Sequence, residues 1–305
     1  MDVGRLRSLS RQIILQPMNQ PYPDGITEVT DPGGRAGLEI AGPGGRVRLS
    51  LFGGHVQSWV HPVHGEVLFM SADANYAAGV ASRGGIPLVF PWFGGHAERA
   101  DFPAHGFARI RHWKVAGLGE GGSVRLRLES DEETRALWPH DFSAVLTVSV
   151  EQTLRVTLAI TNTGGTEFSY DEALHTYFAV GDVHQATVHG LEGVSYTESA
   201  QLPQESPDPA EPIKFEAETD RVYQDVPDRI ELRCEEPARR VELITQDARS
   251  AIVWNPWIAK AAAMSQMQDD EWKRFVCVES ANCKEARVVL GPGATHTLEL
   301  TVAVP

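Results

Sequence analysis

The sequence predicts an all-β protein, a sandwich or barrel built from antiparallel sheets. Apolar and polar residues alternate with a period of two over several segments, which is the pattern of half-buried strands. Turn residues separate these segments, and no long stretch has a helical period. A fixed-period repeat is also missing from the sequence, which argues against a propeller or a solenoid.

The clearest strand patterns lie in the middle and at the end of the chain. Every second residue is apolar in four segments: Val124, Leu126 and Leu128; Leu146, Val148 and Val150; Leu154, Val156, Leu158 and Ile160; and Leu298, Leu300, Val302 and Val304. Successive side chains of a strand point to opposite faces, so each segment should bury one face only. The predicted turns are Gly121-Gly122, Asn162-Thr163-Gly164-Gly165 and Gly291-Pro292-Gly293.

The domain organisation follows from the same patterns. Residues 1–36 have little periodicity and end in a turn cluster, so we interpret them as an N-terminal leader or edge segment. Residues 37–305 should form a single β-sandwich domain, because β architectures often reach about 200–250 residues as one unit. The four prolines within residues 199–215 predict a surface loop rather than a domain boundary, since strand patterns continue on both sides.

Composition limits the class of protein and its partners. Hydrophobic residues make up 42% and charged residues 22% of the 305 residues, which is typical of a folded globular protein. The formal net charge of −14 argues against nucleic acid or an anionic membrane surface as a partner. Cys234, Cys277 and Cys283 form no paired framework, and the apolar run at residues 13–15 is too short for a signal peptide. We therefore expect a cytoplasmic protein.

Two titratable residues stand out within strand-like segments. Alternation along residues 170–178 places His175 on one face with Asp171, Ala173 and Tyr177. A single histidine in a strand is most often structural. Glu279 shares an otherwise apolar face of its strand, where a carboxylate is costly unless it is paired or has a function.

Three irregular segments carry further candidate residues. A glycine pair follows Arg83, His105 precedes a glycine, and two tryptophans flank Asn255-Pro256. Each segment also has an ordinary interpretation, because an arginine is usually solvated and large aromatic residues usually belong to the core. The aromatic segment is typical of the platforms on which sugar rings stack.

Metal and nucleotide sites are not predicted. The histidine pairs His61/His64 and His184/His189 lack the additional cysteine or carboxylate ligands expected of a zinc site. The sequence contains no dinucleotide-binding, P-loop or serine-hydrolase motif. We expect neither a metal nor a cofactor.

Taken together, these segments resemble the aldose 1-epimerase superfamily, in particular its hexose-6-phosphate mutarotase branch. Six motifs occur in the order found in that family and span most of the chain from about residue 37. They are Arg83-Gly84-Gly85-Ile86-Pro87 with Phe90-Pro91-Trp92-Phe93-Gly94, His105-Gly106-Phe107-Ala108-Arg109, Leu174-His175-Thr176-Tyr177-Phe178, Thr219-Asp220-Arg221-Val222-Tyr223, Trp254-Asn255-Pro256-Trp257 and Cys277-Val278-Glu279. Each motif is weak alone, whereas six in order are a strong signal.

The resemblance implies a galactose-mutarotase-like β-supersandwich and a glucose-6-phosphate 1-epimerase activity. It also implies roles for individual residues: His175 and Glu279 as catalytic acid and base, with Arg83, His105, Arg109, Asp220 and Trp257 binding substrate. An ionised glutamate beside a histidine could hold that histidine protonated at neutral pH, as such a mechanism needs.

The partner implied is a small molecule, a hexose 6-phosphate, and we expect a monomer. Two alternatives remain open at this point: an aldose 1-epimerase acting on unphosphorylated sugars, and a carbohydrate-binding β-protein without catalytic activity.

Overall fold

The architecture is described from a computed structural model, which covers residues 22–119, 122–199 and 210–305. Nearly all of the regular structure in these ranges is β-strand, and the strand pairs are antiparallel. The predicted fold class, an antiparallel all-β protein, is therefore confirmed. Residues 1–21 of the predicted leader, Gly121 of one predicted turn and residues 200–209 of the predicted loop lie outside the described residues.

The strands are numbered in chain order. The first eight are β1 (Ile26–Thr30), β2 (Ala36–Gly42), β3 (Gly45–Ser50), β4 (His55–His61), β5 (Gly65–Glu66), β6 (Leu88–Val89), β7 (Lys114–Gly119) and β8 (Ser123–Glu129). The next eight are β9 (Phe142–Val150), β10 (Leu154–Asn162), β11 (Phe168–Tyr170), β12 (Glu172–Leu174), β13 (Tyr177–Ala179), β14 (Ala186–His189), β15 (Tyr196–Glu198) and β16 (Ile213–Lys214). The last are β17 (Thr219–Gln224), β18 (Arg229–Cys234), β19 (Arg239–Gln246), β20 (Ser250–Asn255), β21 (Phe275–Asn282), β22 (Val288–Leu290) and β23 (Thr295–Ala303).

Helices are short and connect strands. The α-helices are α1 (Glu132–Leu137) and α2 (Trp257–Ala262), and the 3-10 helices are Ala108–Ile110, Val183–Gln185, Glu271–Arg274 and Lys284–Ala286. Helix α1 begins at a capping box, in which the Asp131 carboxylate accepts from the Thr134 backbone N–H and the Thr134 hydroxyl accepts from the Asp131 N–H.

The strands form three larger sheets and one strand pair. The first sheet has the order β1-β2-β3-β4-β5, and the second has the order β16-β14-β18-β19-β23-β10-β9-β8-β7. The third has the order β15-β17-β20-β21-β12-β6, with β13 also paired to β21, while β11 pairs with β22. Of the candidate residues, Asp220 on β17 and Glu279 on β21 belong to the third sheet, and His175 lies between its strands β12 and β13.

One hydrophobic core joins the sheets. It contains the alternating apolar residues predicted for β8, β9, β10 and β23, and these side chains are buried as expected. Along β10, for example, Leu154, Val156, Leu158 and Ile160 are buried and the intervening side chains are more exposed. The chain end contributes as well, because Val304 is buried beyond the end of β23.

The segment around His175 differs from the continuous strand expected for residues 170–178. It is divided into β11, β12 and β13, and His175 and Thr176 lie between the last two. The His175 N–H donates to Pro87 O at 3.1 Å, and Thr176 N–H donates to Leu174 O at 2.9 Å, so both residues leave the regular ladder. The register with β21 is continuous across the break, from Leu174 opposite Ser280 to Tyr177 opposite Cys277, so His175 still lies opposite Glu279.

The N-terminal part of the described chain belongs to the first sheet. Strand β1 pairs along its length with β2, so residues 26–30 form the outer strand of that sheet. Within the described ranges, no helix is both long enough and apolar enough to cross a membrane.

A buried polar contact aligns the strands that carry the candidate residues. Glu172 on β12 and Asn282 on β21 are register partners, and Asn282 Nδ2 donates to Glu172 Oε1 at 3.0 Å. The carboxylate also lies 3.0 Å from Nε2 of His296. Burial alone would lower the pKa of His296, but the hydrogen bond and negative charge of Glu172 outweigh it, so the pKa is raised. The imidazolium form therefore stabilises the buried carboxylate.

Replacing His296 with alanine should lower the free energy of unfolding by about 1–3 kcal/mol, because Glu172 loses a charged partner. The raised folded-state pKa means that this stabilisation is complete below the unfolded pKa of about 6.5 and is lost as pH rises through the folded value. Urea unfolding of both proteins in acidic and alkaline buffer measures the difference. The difference in free energy of unfolding between the parent and His296→Ala should narrow at alkaline pH. A difference that does not change with pH would contradict a charged contact between His296 and Glu172. As a control, Arg249→Ala removes an exposed pair with Asp225 and should cost less than about 1 kcal/mol.

Candidate active site

Strand register places a row of polar and aromatic side chains across the third sheet. Asp220 on β17 is opposite Trp254 on β20, Trp254 is opposite Cys277 on β21, and Cys277 is opposite Tyr177 on β13. Glu279 lies two residues beyond Cys277 and so shares its face of the strand. The sheet thus gathers groups from four strands on one face.

The central contact of this face joins His175 and Glu279. His175 Nδ1 is 3.2 Å from Glu279 Oε1, and the side chains are 9% and 1% exposed. Although the two atoms are close, His175 Nδ1 forms no hydrogen bond with any described residue, and neither does Glu279 Oε2. Buried polar atoms without partners are rare in folded proteins, and a catalytic role is one of the explanations for them. The sequence-predicted acid and base are therefore adjacent and buried.

The electrostatic surroundings disfavour the charged forms of both residues. Burial lowers the pKa of His175 well below its ordinary value, and His105, Arg109 and Arg83 lower it further. Burial raises the pKa of Glu279 well above its ordinary value, and Asp220 adds to this effect. We expected Glu279 to hold His175 protonated at neutral pH. In the free protein, burial and the two arginines instead favour a neutral imidazole, while burial and Asp220 favour a protonated carboxyl group against the opposing charge of Arg109.

His105 lies on a tight turn beside this pair. Its ring centroid is 5.6 Å from that of His175, and its backbone has a φ of 62°. The next residue must be glycine, because a Cβ on Gly106 would lie 2.0 Å from the carbonyl oxygen of Phe90. The Gly94 N–H donates to His105 Nδ1 at 3.3 Å, so the proton of a neutral ring sits on Nε2. Burial, Arg109 and Arg83 lower the pKa of His105 to about 3, so His105 is a neutral hydrogen-bond donor at physiological pH.

Two arginines supply positive charge to the same site. Arg83 precedes a glycine pair that passes close to other backbone, since a Cβ on Gly85 would lie 2.2 Å from Val56 O. Arg83 Nη1 donates to Tyr177 Oη at 3.1 Å, and its buried Nε has no partner in the described part of the chain. Arg109 lies in the 3-10 helix Ala108–Ile110 and donates from Nη2 to Ala104 O at 2.8 Å.

Neither arginine forms an ion pair with a carboxylate in the described ranges. Burial lowers the pKa of Arg109 to about 10, so this guanidinium is still charged at neutral pH. The two guanidinium groups are therefore available to an anion.

Tyr177 connects Arg83 to His175 of the buried pair. Its ring stacks on His175 with a centroid distance of 4.9 Å and an interplanar angle of 8°, while its hydroxyl accepts from Arg83. Sequence alternation placed Tyr177 on the face of His175 but did not identify it as a site residue. The sequence did contain a signal, because His175 and Tyr177 are two residues apart and such a spacing brings side chains to one face of a strand.

Asp220 lies at the opposite end from Tyr177 in the row of side chains across the third sheet. Its Oδ2 accepts from Lys260 Nζ at 3.3 Å, and the same ammonium donates to Glu218 Oε1 at 2.9 Å. Burial raises the pKa of Asp220, and Lys260 opposes that rise. Lys260, on α2, was not a predicted site residue, because its contact with Asp220 joins positions 40 residues apart.

The two tryptophans occupy different positions. Trp254 contacts the site, with ring centroids 6.1 Å from His175 and 5.9 Å from Tyr177. Trp257, the predicted substrate-binding aromatic residue, packs instead against Trp272 at 4.4 Å and His184 at 5.0 Å. Its substrate contact stays a prediction, and Trp254 is the tryptophan that the fold brings to His175.

The possible metal ligands also differ from those considered in the sequence. In the described ranges, one group of three such residues is close enough for a single ion: His175, Cys277 and Glu279, with ligand atoms within 4.8 Å of one another. The histidine pairs weighed in the sequence do not belong to it. The nearby charges of Arg83 and Arg109 oppose a divalent cation, so the group is better suited to proton transfer.

The arrangement combines two chemical capacities. A buried carboxyl–imidazole pair can exchange protons with a substrate, and partly exposed cationic groups next to it can hold an anion. Arg83, His105, Arg109 and Asp220 are each partly exposed, so they form the part of the site that solvent can reach. A small anionic molecule with exchangeable protons fits these features.

Comparison with known proteins places the chain in a family. The aldose 1-epimerase family model matches residues 38–303, so the chain belongs to the aldose 1-epimerase family. A Cenchrus ciliaris protein assigned as a glucose-6-phosphate 1-epimerase is 35% identical over 89% of this chain and 82% of its own length. An Escherichia coli K12 protein with the same assignment is 35% identical over 81% of this chain and 83% of its own length.

A solved structure supports the same fold. The crystal structure of a Salmonella typhimurium protein assigned as a mutarotase superposes with a TM-score of 0.79 at 31% identity, covering 88% of this chain and 90% of that one. The fold is thus galactose-mutarotase-like, and the enzyme is an isomerase of the epimerase or mutarotase type. Both expectations drawn from the sequence motifs are confirmed.

Proposed function

We propose that the protein is a hexose-6-phosphate 1-epimerase that interconverts the α and β anomers of glucose 6-phosphate. The observation that carries this proposal is the position of two arginines without carboxylate partners beside a buried His–Glu pair, within the described part of the chain. The names of the related plant and bacterial proteins support the same substrate.

Anomer interconversion needs two proton transfers on one sugar ring. The C1 hydroxyl loses a proton while the ring oxygen gains one, the C1–O5 bond breaks, the open chain rotates about C1–C2, and the ring closes on the other face. Glu279 is assigned as the base at the C1 hydroxyl and His175 as the acid at the ring oxygen. Their contact at 3.2 Å allows them to address the two oxygens that are bonded to C1, the C1 hydroxyl and the ring oxygen. The roles reverse on closure, so both groups are regenerated.

The remaining groups hold the sugar in place. The planar guanidinium groups of Arg83 and Arg109 match the geometry of a phosphate group. His105 offers an Nε2–H to a sugar oxygen, because its Nδ1 already accepts from Gly94. Asp220 offers a carboxylate oxygen to a sugar hydroxyl, and Trp254 provides an apolar ring surface beside His175.

The cellular setting follows from the same proposal. Cys234, Cys277 and Cys283 are free and buried, which supports a reducing compartment such as the cytoplasm. A phosphorylated hexose as substrate is consistent with that location.

Arg83→Ala and Arg109→Ala should each raise KM for glucose 6-phosphate at least about tenfold, because a charge-assisted contact is worth about 1.5–3 kcal/mol. Exchange NMR between the anomer signals measures the rate after subtraction of the uncatalysed reaction. Arg274→Ala, which removes a half-exposed arginine paired with Asp270, is the matched control and should behave like the parent. Equal activity of the parent on glucose and on glucose 6-phosphate would instead support a free-sugar epimerase.

Glu279→Gln and His175→Asn should each lower kcat by about 10²–10⁴-fold, the range typical of a lost general base or acid. Both substitutions keep a polar side chain of similar size, and circular dichroism should show a native fold. A carbohydrate-binding protein without catalytic activity would show no enzymatic rate in the parent. A native Glu279→Gln variant that keeps most of the parent activity would show that the base is misassigned.

A further inference from the structure

The site links phosphate recognition physically to the acid catalyst. Arg83 donates to the hydroxyl of Tyr177 at 3.1 Å, and the Tyr177 ring stacks on His175 in a nearly parallel arrangement. A group that binds Arg83 therefore acts one side chain away from the imidazole. An anchor for the far end of the substrate would not need this proximity.

The charges around His175 are unbalanced in the free protein. Arg83 and Arg109 both disfavour its imidazolium form, and His105 presents a neutral ring at 5.6 Å rather than a negative charge. The other groups that face His175 are Tyr177, Trp254, Cys277 and Glu279. Among these neighbours of His175, Glu279 is the residue that can carry a compensating negative charge near neutral pH.

We propose that the substrate phosphate activates the catalytic pair: by neutralising the charges of Arg83 and Arg109 beside His175, it favours transfer of a proton from the Glu279 carboxyl group to His175. One proton then moves from the Glu279 carboxyl group to His175, and the net charge of the pair stays zero. The two residues become the acid and base that ring opening needs. The phosphate is thus an electrostatic activator of the reaction as well as an anchor.

The unequal action of the two arginine charges supports proton transfer from Glu279 to His175. Both arginines act on His175, whereas Arg109 is the arginine that acts appreciably on Glu279. Cancelling both charges therefore favours protonation of His175 more than protonation of Glu279. The inference rests on the proposed function, because it takes a sugar phosphate as the substrate.

The test separates the phosphate from the sugar. Free glucose is used as the substrate, and inorganic phosphite is added as a dianion that can occupy the arginine site without a covalent link to the sugar. Exchange NMR measures the anomerisation of glucose, and the rate at the same phosphite concentration without enzyme is subtracted, because phosphite itself can catalyse the reaction.

Phosphite should raise kcat/KM for free glucose by at least about tenfold, the change in protonation ratio that corresponds to one pKa unit. Arg83→Ala and Arg109→Ala should abolish most of this activation, and Arg274→Ala should retain it. If the enzyme turns over glucose 6-phosphate but phosphite leaves the glucose rate unchanged, the phosphate is an anchor only and the inference is wrong. If glucose 6-phosphate is not a substrate, the proposed function itself fails.

Tyr177→Phe tests the connecting side chain. It keeps the ring that stacks on His175 and removes the hydroxyl that accepts from Arg83. Loss of this contact should lower kcat for glucose 6-phosphate and the phosphite response, with a smaller effect on KM. A change in KM alone would assign Tyr177 to binding and contradict its role as a positioning residue.

Nitrogen NMR of His175 gives a readout that does not depend on turnover. Phosphite should move the imidazole signals of His175 toward the imidazolium position in the parent and not in Arg83→Ala. Imidazole signals that stay at the neutral position when phosphite is bound would overturn the proposal.

Discussion

The contact between His175 and Glu279 is the feature around which the candidate site is arranged. Two ionisable groups are held 3.2 Å apart in a buried part of a sheet, where charges are costly and unpaired polar atoms are rare. The strands that carry them are aligned by a second buried polar contact, between Glu172 and Asn282. The Glu172–Asn282 hydrogen bond thus supports the register of β12 with β21, and this register holds the reactive pair together.

This arrangement explains why the surroundings of the pair are cationic. A buried neutral pair is stable without substrate, but it lacks the separated acid and base that ring opening requires. Arg83 and Arg109 help to keep His175 neutral in the free protein and at the same time attract an anion. Binding and activation would then share one cause, since the group that is recognised is the group that changes the electrostatic field.

Much of the fold and part of the site could be predicted from the sequence. The period of two along β10 predicted buried residues correctly, because strand alternation is a local property. The family motifs indicated His175 and Glu279, but no local pattern shows that His175 lies at a break between β12 and β13. That break depends on a hydrogen bond to Pro87, and the contact of Lys260 with Asp220 likewise joins distant positions. The protonation of the pair was also misjudged, because burial and the arginine charges appear only in three dimensions.

The kcat of the double variant His175→Asn/Glu279→Gln, compared with the two single variants under identical conditions, shows whether His175 and Glu279 act as one catalytic unit. Residues that act as one unit have strongly non-additive effects, so the double variant should be little worse than the poorer single variant. If the two single losses multiply in the double variant while circular dichroism shows a native fold, His175 and Glu279 act independently and the central claim is contradicted.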